Sequence, residues 1–244
     1  YDKLSGKDVS AKDDSHPYPY PRGKIWTNVI DNLTLAGASV IVFDIQFDAE
    51  DHFTSYKNYY CKKDCDNSYD GNRLFRQSIQ NAIYNNVPII LGAKSDQSCE
   101  EGGECFWYFS IPDSNILIGE QKPNIGLTDH EVDYIDAVSR RYAIFNKIYD
   151  YKSPDNKKWH YSLGVQAALG FLSKEDALDN KVFSMDNIED NKIKIGPLEI
   201  NSYMKNGATF LVNYYGPATN SEAITFKTYP LYQILDDGEF FKSE

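Results

Sequence analysis

The sequence predicts an α/β fold: a mixed, largely parallel central sheet covered by helices on both faces, with antiparallel hairpin additions. Three observations carry that prediction. Val40, Ile41, Val42 and Phe43 form an unbroken run of β-branched and aromatic residues, which a strand can bury on both faces only inside a sheet covered by helices. A helical stripe followed by a short apolar strand occurs twice before residue 92, and such alternation points to parallel pairing with right-handed crossovers. From Lys181 onward the apolar period becomes two, the mark of antiparallel additions.

In chain order, residues 1–15 are charged and aperiodic and read as a polar N-terminal arm, with one domain over residues 16–244. His16-Pro17-Tyr18-Pro19-Tyr20-Pro21-Arg22 follows; its alternate prolines fix φ and remove donors, so it must be extended, and Pro21 suits the first turn of a helix. Tyr18, Tyr20 and Arg22 read as rigid packing at that helix's mouth. Ile25, Trp26, Val29, Ile30 and Leu33 then share one face of a helix over Arg22 to Ala36, which Gly37 stops. It feeds directly into the apolar run, read as the central strand. Asp44 ends that run, and in open α/β sheets ligands sit at the carboxyl ends of the strands.

Asp48 to Asp70 is a long loop holding Cys61 and Cys65, of the length that functional loops have. Leu74, Phe75, Ile79, Ala82 and Ile83 form the second helical stripe, and Val87 to Leu91 the second strand. The acidic, Gly-rich Ser95 to Glu104 segment reads as a loop, followed by strands at Phe106 to Phe109 and Asn124 to Leu127. Thr128 to Asp136 is a polar turn, Arg140 to Phe145 a strand, Tyr151 to Lys158 a hairpin turn and Tyr161 to Phe171 a well-buried helix. Ile193 with Ile195, and Leu198 with Ile200, flank Gly196-Pro197 as a hairpin. Phe210 to Tyr214 is a strong apolar strand, Ile224 to Phe226 a shorter one, and Tyr229 to Leu235 the last helix. No internal repeat or low-complexity linker divides the chain.

A net charge of −11 without any Lys/Arg run repels phosphate backbones, which excludes nucleic acid and an anionic membrane surface as partners. Nineteen tyrosines and a low mean hydropathy suit a wet, aromatic-rich, extracytoplasmic surface. Cys61 with Cys65 and Cys99 with Cys105 have spacings that match no zinc pattern closely. Two local disulfides, Cys61–Cys65 and Cys99–Cys105, are the preferred reading among three connectivities, beside free thiols and a four-cysteine zinc site. Disulfides imply an oxidising compartment.

Taken in order, the Pro17 to Arg22 motif, the helix, Gly37 to Phe47, the Asp133 to Arg141 segment, and Phe210-Leu211-Val212-Asn213-Tyr214-Tyr215-Gly216-Pro217 followed by Phe226 to Leu235 resemble the CHASE2 family. The resemblance runs over roughly residues 16–238. It implies an extracytoplasmic sensory domain of a bacterial receptor, set between membrane helices and relaying a signal to a cytoplasmic cyclase or kinase. Family members usually carry tryptophan where this chain has Tyr18 and Tyr20, and the cysteine loops are not part of the pattern. The resemblance attaches no catalytic residue and no cofactor. It leaves an unknown small molecule as ligand, the membrane reached through flanking spans outside this sequence, and a homodimer as a compatible assembly.

Site residues therefore come from chemistry. Asp44 can accept hydrogen bonds from a ligand's hydroxyl or amine, or cap a neighbouring backbone. Arg141 can bind a carboxylate or phosphate bidentately, or satisfy the nearby Asp129, Glu131, Asp133 and Asp136. Asn213 and Tyr214 can complete a polar pocket, or form a turn before Gly216-Pro217. The rival class is a metal-dependent hydrolase using Asp44, Asp48 and Asp51; a protein-interaction module is the third. No GxSxG, P-loop or HExxH motif is present, and His16, His52, His130 and His160 are scattered.

Overall fold

The computed structural model describes residues 22–48, 51, 70–99, 105–109, 112–128, 141–150, 153–172, 188–189, 192–195, 198–201, 209–211 and 226–235. The chain is mixed α/β. A widened, π-type turn at Arg22–Trp26 runs into helix α1, Thr27–Leu35. Gly37 ends it at φ +78, a left-handed conformation that glycine adopts without a Cβ penalty. Strand β1 is Ile41–Gln46, helix α2 Gly71–Tyr84 and strand β2 Ile89–Ala93. Strands β3 (Ser95–Cys99), β4 (Cys105–Phe109) and β5 (Asn124–Leu127) follow.

Strands β1, β2 and β5 form a three-stranded parallel sheet in the order β1-β2-β5. This corrects one expectation. The run at residues 40–43 is parallel as predicted, yet among the described residues β2 is the central strand and β1 flanks it. The reason lies in burial: every residue of β2 is buried, whereas Ile41 and Phe43 of β1 point inward and Val42 and Asp44 are exposed.

On one side of the sheet, Val29 and Ile30 of α1 and Phe75, Ile79 and Ala82 of α2 pack with Ile41, Phe43, Ile89 and Leu91 into the main core. Each of the valine, leucine, isoleucine and phenylalanine side chains contributes about 1.5–3 kcal/mol by leaving water. Trp26, Phe43, Phe47 and Phe75 meet mostly edge-on, with centroids 4.8–6.4 Å apart, the geometry that ring quadrupoles favour. Ser78 Oγ donates to Asp31 and ties α2 to α1. Asn32 Nδ2 donates to the Ile234 carbonyl at 2.7 Å and ties α1 to the last helix, α4, Leu231–Leu235.

Helix α3, Leu163–Leu172, meets the other residue parity of β2: a Cβ on Gly170 would lie 3.1 Å from Ile90 Cδ1 and 3.2 Å from Val40 Cγ2. At its start the approach is closer still. A Cβ on Gly126 of β5 would stand 2.6 Å from Leu163 Cα, so only glycine lets the helix reach that strand.

The remaining strands are β6 (Arg141–Ala143), β7 (Phe145–Asp150), β8 (Ser153–Tyr161), β9 (Ile188–Glu189), β10 (Lys192–Ile195), β11 (Leu198–Asn201) and β12 (Thr209–Leu211). They form sheets in the orders β3-β4-β7-β8, β11-β10-β9 and β12-β6. Ile144, Phe145, Val165, Ile193 and Ile195 form a second core, beside which burial pushes the Tyr161 phenol above its ordinary value.

Several element expectations change here. Ser95–Cys99 is a strand rather than a loop, because it continues β2 across Lys94 and pairs antiparallel with β4. Within the expected Arg140 to Phe145 strand, Arg141–Ala143 and Phe145 belong to two strands in two sheets, divided at Ile144, whose carbonyl accepts the Ser162 amide at 3.0 Å. The expected turn at Tyr151 to Lys158 is mostly strand. Its register jumps from Asp150↔Ser153 to Tyr149↔Lys157, so Pro154, which has no amide to give a ladder, sits in a bulge. The last helix starts after Pro230 rather than at Tyr229. The hairpin at Ile193 to Ile200 pairs as expected. Lys174 to Leu178, the turn at Thr128 to Asp136 beyond its first residue, and residues 212–225 lie outside the described residues. Among those described, no helix is long and apolar enough to cross a membrane.

Two glycine substitutions are expected to have opposite signs. Gly126→Ala drives α3 off β5 and lowers stability by about 1–3 kcal/mol. Gly164→Ala, whose Cβ would meet only Tyr142 Cε1 at 3.5 Å, raises it by about 0.4–1 kcal/mol. Urea unfolding midpoints at constant slope measure both.

Candidate functional site

Helix α1, which feeds into β1, and α2, which crosses from β1 to β2, both begin near the carboxyl end of β1, and polar groups gather there. Asp70 caps α2 by accepting the Arg73 amide at 2.9 Å, which satisfies a donor the helix leaves unpaired. The opening of the first helix is capped from elsewhere in the chain: Asp51 Oδ1 accepts the Arg22 amide at 3.2 Å. A carboxylate there also meets the positive end of the helix dipole.

The Arg22 side chain then turns inward. Its guanidinium lies 5.1 Å from the centroid of the Phe47 ring, and Nη1 donates to Asn72 Oδ1. Arg22, Asp51 and Asn72 are all buried, at 8%, 3% and 3% exposure. A guanidinium keeps its charge at any ordinary pH, so its burial demands acceptors and a ring face. One side chain thereby joins three segments: the start of the first helix, the chain beyond β1, and the first turn of α2.

The next layer closes the same corner. The Asp113 amide donates to the Phe47 carbonyl at 2.7 Å, and Ile116 enters the main core. Arg76 Nη1 donates to the Asn115 carbonyl at 2.5 Å and Gln80 Nε2 to the Ile118 carbonyl at 3.0 Å, which lays residues 112–118 along α2. The cluster positions backbone and offers no nucleophile. Its chemistry is that of a latch.

Asp44 is placed differently. Phe43 pairs with Leu91 and Gln46 with Gly92, so Asp44 and Ile45 occupy a break in the β1–β2 register. Such irregularities re-aim side chains beside functional sites. Gly92 permits the break: a Cβ there would stand 2.8 Å from the Phe43 carbonyl oxygen and 2.9 Å from Thr128 Cγ2. Thr128 donates its amide to the Ala93 carbonyl at 2.8 Å. The exposed Asp44 carboxylate thus stands where three parallel strands end.

Arg141 opens β6, opposite Leu211 of β12 in a different sheet from Asp44; Asn213 and Tyr214, two and three residues past Leu211, lie outside the described residues, as do Cys61 and Cys65. Cys99 and Cys105 face each other in the β3–β4 register. The trio of Asp44, Asp48 and Asp51 does not form a metal site. Asp44 and Asp48 are exposed while Asp51 is buried on the Arg22 amide, and among the described residues no three His, Cys, Asp or Glu side chains gather as metal ligands.

Sequence reasoning missed Asn72 and read Arg22 only as packing. An arginine opening a helix whose partners are apolar was the available signal for Arg22; nothing in Gly71-Asn72 marks a buried amide.

The family model of the CHASE2 domain matches residues 5–244, beginning inside the polar arm. No curated protein and no solved structure matches the chain.

Loss of the latch is expected to be costly and specific to the guanidinium. Asn72→Ala lowers stability by about 1.5–3 kcal/mol, the range for hydrogen bonds to charged groups. Arg22→Lys recovers less than half of the loss caused by Arg22→Ala, since an ammonium lacks the planar fork. Chemical unfolding of the three variants checks both statements.

Proposed function

This chain belongs to the CHASE2 domain family, a family of sensory domains, and on that premise we propose that it is the extracytoplasmic sensor domain of a bacterial transmembrane receptor. It binds a small molecule, or registers a stress, and relays the event to a cytoplasmic cyclase or kinase elsewhere in the full-length protein. The domain itself is not the catalyst. The observation that carries this reading is the family match over residues 5–244.

The geometry supplies a route for the signal. A ligand held at Asp44 touches the register break of β1, and three residues later Phe47 lies under the Arg22 guanidinium. Through Arg22 the displacement reaches the first turn of the helix that the Pro17 to Pro21 segment leads into. A ligand shifts such an equilibrium only by its differential affinity for the two arrangements, and a buried charged knot is stiff enough to make two discrete arrangements of a small strand shift. Arg141, Asn213 and Tyr214 are the further ligand contacts of this reading. A disulfide between Cys61 and Cys65 belongs to the same reading, and a homodimer is the assembly that fits a paired receptor.

A thermal-shift screen against amino acids, organic acids, sugars, nucleotides and divalent ions tests the proposal. One class is expected to stabilise the domain, by about 2.7 kcal/mol at a hundredfold excess over Kd, with the shift lost in Asp44→Ala and Arg141→Ala. Absence of any shift, or turnover of a generic ester, phosphate or glycoside that Asp44→Asn abolishes, overturns it.

A further inference from the structure

Strand β3 pairs with β4 in unbroken antiparallel register: Ser95↔Phe109, Asp96↔Tyr108, Gln97↔Trp107, Ser98↔Phe106 and Cys99↔Cys105. We propose that Cys99 and Cys105 form a cross-strand disulfide that fastens the loop end of this hairpin. Sequence spacing alone allows any of three connectivities among Cys61, Cys65, Cys99 and Cys105; register singles out this pair. Residues directly opposite in an antiparallel ladder share a face, with Cα atoms about 4.5–5.5 Å apart. That lies inside the roughly 4.4–6.8 Å span a disulfide requires. A slip of one residue would send the two to opposite faces.

The hairpin also has reason to need a covalent tie. β3 reads Ser-Asp-Gln-Ser-Cys, poor in the β-branched and aromatic residues that hold strands. It stands at the end of the order β3-β4-β7-β8, and β4 meets β7 in register at Tyr108↔Tyr149 alone. The residues joining the two cysteines are Glu100, Glu101, Gly102, Gly103 and Glu104. Three like charges and two glycines there oppose closure, by repulsion and by chain entropy.

Formation needs an oxidant of the disulfide class, such as oxidised glutathione. One cysteine thiolate attacks it, forms a mixed disulfide and expels a thiolate; the second cysteine thiolate attacks the cysteine sulfur of that mixed disulfide and expels the other. Two electrons pass to the oxidant, which leaves as two thiols carrying the two cysteine protons. The inference rests on the register and not on the sensor reading, and either can fail without the other.

The full chain, equilibrated in a glutathione redox buffer, is alkylated without reductant and digested with a Glu-specific protease that cuts between the cysteines. A two-chain fragment holding Cys99 and Cys105, which separates on reduction with a gain of two hydrogens, is the expected result. Alkylation of both thiols, or a link from Cys99 to Cys61 or Cys65, overturns the pairing. Reduction, or the double substitution Cys99→Ala with Cys105→Ala, is expected to speed amide exchange about tenfold in residues 95–99 and 105–109, as local opening becomes easier, while residues 89–93 stay unchanged. Exchange that is the same with and without the bond overturns the fastening role.

Discussion

The guanidinium of Arg22 is held out of water between the Phe47 ring and the Asn72 side-chain Oδ1, while Asp51 takes the amide of the same residue. A buried cation left without partners costs several kcal/mol, so these positions cannot drift independently. The end of β1, the chain just past it, and the first turn of α2 have to arrive together for the first helix to begin where it does. The apolar core beneath is less exacting. Hydrophobic contacts tolerate exchange of similar volumes, whereas the polar knot depends on the direction of each bond.

That difference organises the two sides of the strand ends. On the helix side the corner is filled by the chain itself, with Ile116 in the core and residues 112–118 laid along α2. At the register break the arrangement is open, and Asp44 stands exposed beside Gly92 and Thr128. A rigid knot adjoining an open carboxylate suits the relay from ligand to first helix that is proposed above. In a uniformly soft structure a local contact would dissipate before it reached the first helix.

Elements with strong, local patterns were legible in the sequence. The stripe from Ile25 to Leu33, the stripe from Leu74 to Ile83, the apolar β2 and the Ile193 to Ile200 hairpin all lie where periodicity puts them. The strand at Ser95 escaped notice because its residues are polar and its pairing is inherited from β4 across the hairpin. The break at Ile144 escaped because an apolar run continues through it, and only the Ser162 amide marks the change of sheet. The Asp44, Asp48 and Asp51 spacing suggested shared ligands. In the fold Asp44 and Asp48 are exposed and Asp51 is buried.

By itself, then, the sequence determined the helices and strands whose apolar period is strong, that β1 and β2 run parallel, and the family, because these depend on residues near one another or on ordered motifs along the chain. Tertiary structure decided which of the described strands lies innermost and that Asn72 and Asp51 complete Arg22. Each of those is a relation between residues whose spacing along the chain carries no information about their separation in space; it becomes fixed only when several surfaces are buried at once.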